Sequence, residues 1–106
     1  MKVVWYTKAE RTWLRTLQHI HAEFGYRSAI TFRQETSKVS KQIAKFPQSG
    51  TIEPLLTSSE FEFRSVFCGV YNKLIYHVSD EAIYIVDVWD TRREPKKQAA
   101  ETINAA

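Results

Sequence analysis

The stretch Phe61-Glu62-Phe63-Arg64-Ser65-Val66-Phe67 decides the fold, because its residues alternate in character one by one. A period of two belongs to a strand, whose successive side chains point to opposite faces. The alternation predicts a strand over 61–67, with Phe61, Phe63, Ser65 and Phe67 on an apolar face and Glu62, Arg64 and Val66 on a mostly polar one. Cys68-Gly69 is placed to turn the chain, and 70–78 reads as the next strand. Ser79-Asp80-Glu81 then makes a hairpin connection into a third, over 82–89. Its run Ile83-Tyr84-Ile85-Val86-Asp87-Val88-Trp89 is nearly continuous in apolar residues, as expected of a central strand covered on both faces.

Upstream of this meander the period is near 3.6. Trp13, Leu17, Ile20 and Phe24 fall at i, i+4, i+7 and i+11, one apolar stripe down a helix over about 8–24. Thr7 is placed to cap it, with Glu10 three residues on as in a capping box, and Gly25 stops it. A second stripe, Phe32, Thr36, Val39, Ile43 and Phe46, predicts a helix over about 27–46, with Lys38, Lys41, Gln42 and Lys45 on its other face. Pro47 ends that helix and Gly50 permits a turn in the loop over 47–60. At the N-terminus, Val3, Val4, Trp5 and Tyr6 suit a strand, which must join the sheet to be stable. Pro95 opens a short helix over about 96–103, poor in apolar residues and expected to fray. The chain therefore reads as one α+β domain over 1–106: N-terminal strand, helical hairpin, a three-stranded antiparallel meander completing one sheet, and a short C-terminal tail helix.

Composition narrows the functional classes. The 106 residues carry 15 Lys plus Arg against 12 Asp plus Glu, a net charge of +3, and the 43% apolar content is that of a globular chain. Three Trp, five Tyr and six Phe argue against disorder. No apolar run reaches the roughly 18 residues of a membrane span. Met1-Lys2-Val3-Val4-Trp5 lacks a signal-peptide core, and the single Cys68 suits a reducing compartment, so a cytoplasmic location with no membrane partner is expected. His19 and His21 are two apart on a helix and cannot form the i, i+4 zinc pair. With no phosphate-cradling glycine loop and no serine elbow, neither metal nor organic cofactor is expected.

The order of these elements resembles the RelE/ParE superfamily, the toxin halves of type II toxin–antitoxin (plasmid-stabilisation) modules. The resemblance spans roughly residues 3 to 97. It rests on the aromatic first strand, Ala9 near the start of helix one, the Pro47-x-x-Gly50 step, and the Phe63-Arg64-Ser65-Val66 strand. It rests also on Lys73-Leu74-Ile75-Tyr76-His77-Val78, and on Ile85-Val86-Asp87-Val88-Trp89-Asp90 followed by the pair Arg92-Arg93. It implies a growth-inhibiting protein neutralised by a cognate antitoxin, in a possible hetero-oligomer. Its target would be either the ribosome with its mRNA, which RelE- and YoeB-like toxins cut, or DNA gyrase, which ParE-like toxins poison by binding. A non-toxic antitoxin- or nucleic-acid-binding module is the third reading.

RNA cleavage through the 2′-hydroxyl needs a base, cations for the developing phosphorane charge, and an acid for the leaving oxygen. The resemblance places Arg64 and Arg92 in the cation role, which suits an always-charged planar fork. It places Glu53, in Gly50-Thr51-Ile52-Glu53-Pro54-Leu55, as base, and Tyr76 as a stacking or proton-donating residue. Lys73 and Arg93 join Arg64 and Arg92 as nucleic-acid contacts. Where nucleases of the superfamily carry a histidine, this chain has Asp90. An aspartate could donate a proton only if burial raised its pKa well above ~4; His77 is the other possible substitute. Residues 1–58 hold nine Lys/Arg and four Asp/Glu, whereas residues 59–106 hold six and eight. A ribosome-docking toxin should gather positive charge at its site, so this split and the missing histidine tilt the expectation toward ParE-like action.

Overall fold

The structure, a computed structural model, describes residues 1–56 and 60–105. The strands are β1 (Lys2–Trp5), β2 (Thr51–Ile52), β3 (Phe63–Cys68), β4 (Asn72–Val78) and β5 (Ala82–Asp90). The helices are α1 (Thr7–Phe24), α2 (Tyr26–Lys45) and α3 (Pro95–Ala105). One five-stranded sheet runs β1-β5-β4-β3-β2. The N-terminal strand joins it as expected, parallel to β5, with Val3 opposite Ile83 and Trp5 opposite Ile85. All other pairings are antiparallel.

The α1–α2 hairpin covers one face. Ala9, Phe32, Val39 and Ile43 meet Cys68, Leu74, Tyr76, Ile83, Ile85 and Val88, with Trp13, Leu17 and Ile20 packed against them. Both stripes read from the sequence therefore face the sheet, although Phe24 at the end of the first is exposed and Phe46, expected to close the second, lies just beyond α2 and is exposed too. The hairpin bends at Gly25, whose φ of 91° lies where only glycine is comfortable. The other face carries Leu56, Phe63, Ile75, Val86 and Trp89 beneath Ala99 of α3.

Several expectations change. The Thr7–Glu10 capping box does not form: Tyr6 is the residue flanking α1, and no side chain caps it. Strand β3 begins at Phe63 rather than Phe61 and runs through Cys68, so the turn is Gly69 to Tyr71 and β4 begins at Asn72. Its two faces are not apolar and polar. Val66 packs on the hairpin cluster, while Phe67 on the opposite face is 59% exposed. The loop over 47–60 contains β2 and a 3₁₀ turn, Pro54–Leu56, as well as residues 57–59, which lie outside the described ones.

The terminal helix was expected to fray for want of apolar residues, yet Gln98, Ala99 and Thr102 are buried. Polar contacts seat it instead. The Gln98 side chain accepts from the Asp90 amide and donates to its carbonyl, both at 2.9 Å. The Thr102 hydroxyl donates to Asp87 at 2.6 Å and accepts from Trp89 Nε1 at 2.9 Å. Lys8 closes the group with a 2.7 Å ion pair to buried Asp87. Strand β5 reads as an apolar run partly because a bulge interrupts its pairing between Ile85 and Asp87. Before the bulge, Ile83 and Ile85 face the hairpin; after it, Val88 does. The parity of inward positions switches within one strand.

Candidate functional site

The sequence-derived residues fall into two groups at opposite ends of the sheet. The first surrounds the loop that leaves α2. Pro47 cannot continue the helix, and its carbonyl accepts the Tyr76 hydroxyl at 2.8 Å. The Gly50 amide donates to the same hydroxyl at 2.9 Å. A Cβ on residue 50 would sit 2.5 Å from that oxygen, so the close approach requires glycine. Arg64, opposite Tyr76 in the ladder, donates to Gly50 O at 2.8 Å and Gln48 O at 3.3 Å. It also pairs with Glu62 at 2.9 Å. Arg64 thus ties down the loop rather than standing free. Tyr76 is fully buried with its one proton committed to Pro47, and burial pushes its pKa up.

Glu53 follows on the other side of the sheet. It is 5% exposed, not a solvated loop residue, and its carboxylate accepts from Lys73 Nζ at 2.9 Å. The Lys73 ammonium lies 5.3 Å from the centre of the Trp89 ring. The two groups that were expected to act as base and nucleic-acid contact therefore neutralise each other.

The second group lies where β5 ends. Asp90 pairs with Asn72, four residues along β4 from Tyr76. That displacement is about 13 Å along the strand and about 10 Å across two strand spacings, so Arg64 and Arg92 do not converge. Arg92 folds back on Asp90 through two 3.0 Å bonds and lies 4.4 Å above the Tyr71 ring. The Arg92 guanidinium holds the Asp90 carboxyl below its usual range. Asp90 is consequently ionised near neutrality, and the expectation that burial could make it an acid is overturned. Arg93 reaches Glu101 at 3.5 Å.

His77 offers no substitute. Its ring is 5% exposed among Tyr6, Phe61, Phe63 and Tyr84, stacked on Phe61 at 4.3 Å. Among the described residues neither ring nitrogen has a hydrogen-bond partner, and desolvation lowers its pKa. It is a neutral core imidazole.

Sequence reasoning missed the surface feature beside Asp90, a groove of about 660 Å³ between the hairpin and the β3–β4 turn. Its apolar floor includes Ile20, Phe24, Phe32 and Val88, and its rim carries Arg15, His19, Arg92 and Arg93. Arg15 and His19, four apart on α1, were the available signal.

The whole layout can now be set against known proteins. The sequence profile of the ParE toxin of the type II toxin–antitoxin system parDE matches residues 3–95. The chain belongs to the ParE toxin family. Among solved structures, one chain of a chromosomal ParDE toxin–antitoxin system from P. aeruginosa is similar, with a TM-score of 0.68. The likeness covers 85% of this chain and 95% of that one at 16% identity, and it supports the fold. No curated protein matched. The resemblance read from the order of elements is thereby narrowed to its ParE branch, and the chain is the toxin component of such a module, with a cognate antitoxin as partner. Among the described residues of this ParE-family toxin, no helix is long and apolar enough to cross a membrane. No group of three or more His, Cys, Asp or Glu among them could hold a metal ion.

Proposed function

We propose that this ParE-family toxin, a single toxin domain over residues 1–106, works in the cytoplasm by binding DNA gyrase rather than by cutting mRNA. The observation that carries this reading is the dispersal of the nuclease groups. Arg64 is bound to the 47–50 loop, Arg92 to Asp90 and Glu53 to Lys73. A phosphorane has two negative oxygens to satisfy, and general acid–base catalysis needs its groups within hydrogen-bond reach of one reacting centre. Arginines set four residues apart along β4 and two strands apart across the sheet, an ionised aspartate and an apolar-caged histidine favour binding over proton transfer. In this reading Arg64 and Tyr76 shape the loop surface, and Arg92 and Arg93 contribute to contact.

Pulse expression of the chain alone tests the proposal. Growth arrest with an SOS response, filamentation and intact mRNA is expected, together with loss of supercoiling by purified gyrase when the toxin is added. Rapid mRNA cleavage at the ribosomal A site, seen by mapping RNA 5′ ends, would replace this reading with the ribosome-dependent endonuclease one. Normal growth would leave only the non-toxic binding module.

A further inference from the structure

Helix α2 buries Ala29, Phe32, Thr36, Val39 and Ile43 against the sheet. At about 100° per residue, Arg27, Lys38, Lys41 and Lys45 fall within an arc of about 60° directly opposite that stripe. All four are exposed, and none forms an ion pair among the described residues. The exposed positions between them are Thr31, Gln34, Ser37 and Gln42, with Arg33 on a flank outside the arc. The one acid of the helix, Glu35, lies outside the arc and is half-buried. We infer that this outward strip of α2 is a docking surface for the phosphate backbone of duplex DNA.

An ordinary solvated helix face interleaves both signs, because opposite charges at i, i+4 support a helix and like charges there weaken it. Lys38 and Lys41 are i, i+3, and Lys41 and Lys45 are i, i+4, so this strip keeps like charges adjacent at the expense of its own helix. A polyanion relieves that repulsion, and an acid-free surface is complementary to one. The shape selects among polyanions. The four cations lie along a straight rod of about 27 Å, the axial length of about eight base pairs, so the strip can meet phosphates on both sides of a groove it crosses. Within the arc the strip carries no aromatic ring, because Phe32 is buried; exposed Tyr26 and Phe46 flank its two ends, with Lys45 5.5 Å from the centre of the Phe46 ring. Single-stranded bases would find rings at its ends but no row of them along it to stack on. The contact is to phosphates, independent of sequence. It goes beyond gyrase poisoning, which would stand if the toxin never touched DNA.

Fluorescence anisotropy of the full chain with a labelled 20-base-pair duplex of random sequence, titrated across salt, reads this directly. Four phosphate contacts give a slope of log K against log salt near −3.6. Lys38→Gln, Lys41→Gln and Lys45→Gln together should reduce it by roughly 3, at about 1 per lysine, with unchanged circular dichroism. Arg33→Gln removes the same charge from the exposed flank of α2 outside the strip, and should leave the slope unaltered. The inference fails if the duplex does not bind at low salt, or if the triple variant keeps the wild-type slope. It fails equally if single-stranded RNA or an acidic peptide of similar length binds more tightly than the duplex.

Discussion

Against one face of the sheet, α1 and α2 press a continuous apolar layer, Phe32, Val39 and Ile43 onto Leu74, Ile83 and Ile85. Against the other, α3 contributes Ala99 to the apolar cluster and is otherwise located by Gln98, Thr102 and buried Asp87. The two faces do different jobs. Apolar area is non-directional and supplies driving force, whereas a hydrogen-bonded seat supplies little net energy but admits one position. The hairpin should thus govern whether the domain folds, and the seat should govern whether α3 stays in place.

The largest effect should come from the first face. Ile43 is fully buried, and Ile43→Ala should destabilise the whole domain by about 2–5 kcal/mol, measured by urea unfolding. A loss below about 1 kcal/mol would mean that the hairpin is not the principal core.

Thr102→Val should act more weakly and locally. It keeps the volume but removes the donor to Asp87 and the acceptor for Trp89 Nε1. A loss of about 1–3 kcal/mol is expected, with faster amide exchange confined to α3. Exchange raised equally in β4 and α2 would erase the distinction between the faces.

The smallest effect is a pH dependence on the α3 side. His77 has a pKa lowered from 6.5 by burial, so the folded state resists a proton that the unfolded chain accepts. Stability is therefore complete above about 6.5 and declines as pH falls from there toward the folded-state value. His77→Phe removes the titration while keeping an aromatic ring in the cage. Comparing urea midpoints at pH 7.5 and 5.5, the wild type should lose more than the variant; equal losses would show that His77 is not the acid-sensitive group.

The same contrast explains what was legible in the sequence. Ile43 and Phe32 announced their face because an apolar stripe repeats at a fixed interval. Thr102 and Gln98 did not, because their value lies in partners four to fifteen residues away across a turn, which no periodicity encodes. Strand β5 hid its sidedness for a related reason: the bulge between Ile85 and Asp87 shifts the inward positions from odd to even. Among the site residues, Arg64, Glu53 and Arg92 could be named as types. Their engagement by Gly50 O, Lys73 and Asp90 depends on register and loop shape, which alternation alone does not report.

The pairing of β1 with β5 also sets a timetable. Residues 2–5 find their partners at 82–85, so the first strand made waits for the last. At about 5–20 residues per second, a growing chain holds that edge unpaired for roughly 4–16 seconds. The hairpin, built from near neighbours, can form meanwhile. A toxin so wired has no complete sheet until nearly all of it has been synthesised. Any partner that recognises the completed five-stranded sheet has nothing to bind before β5 has emerged beside β1.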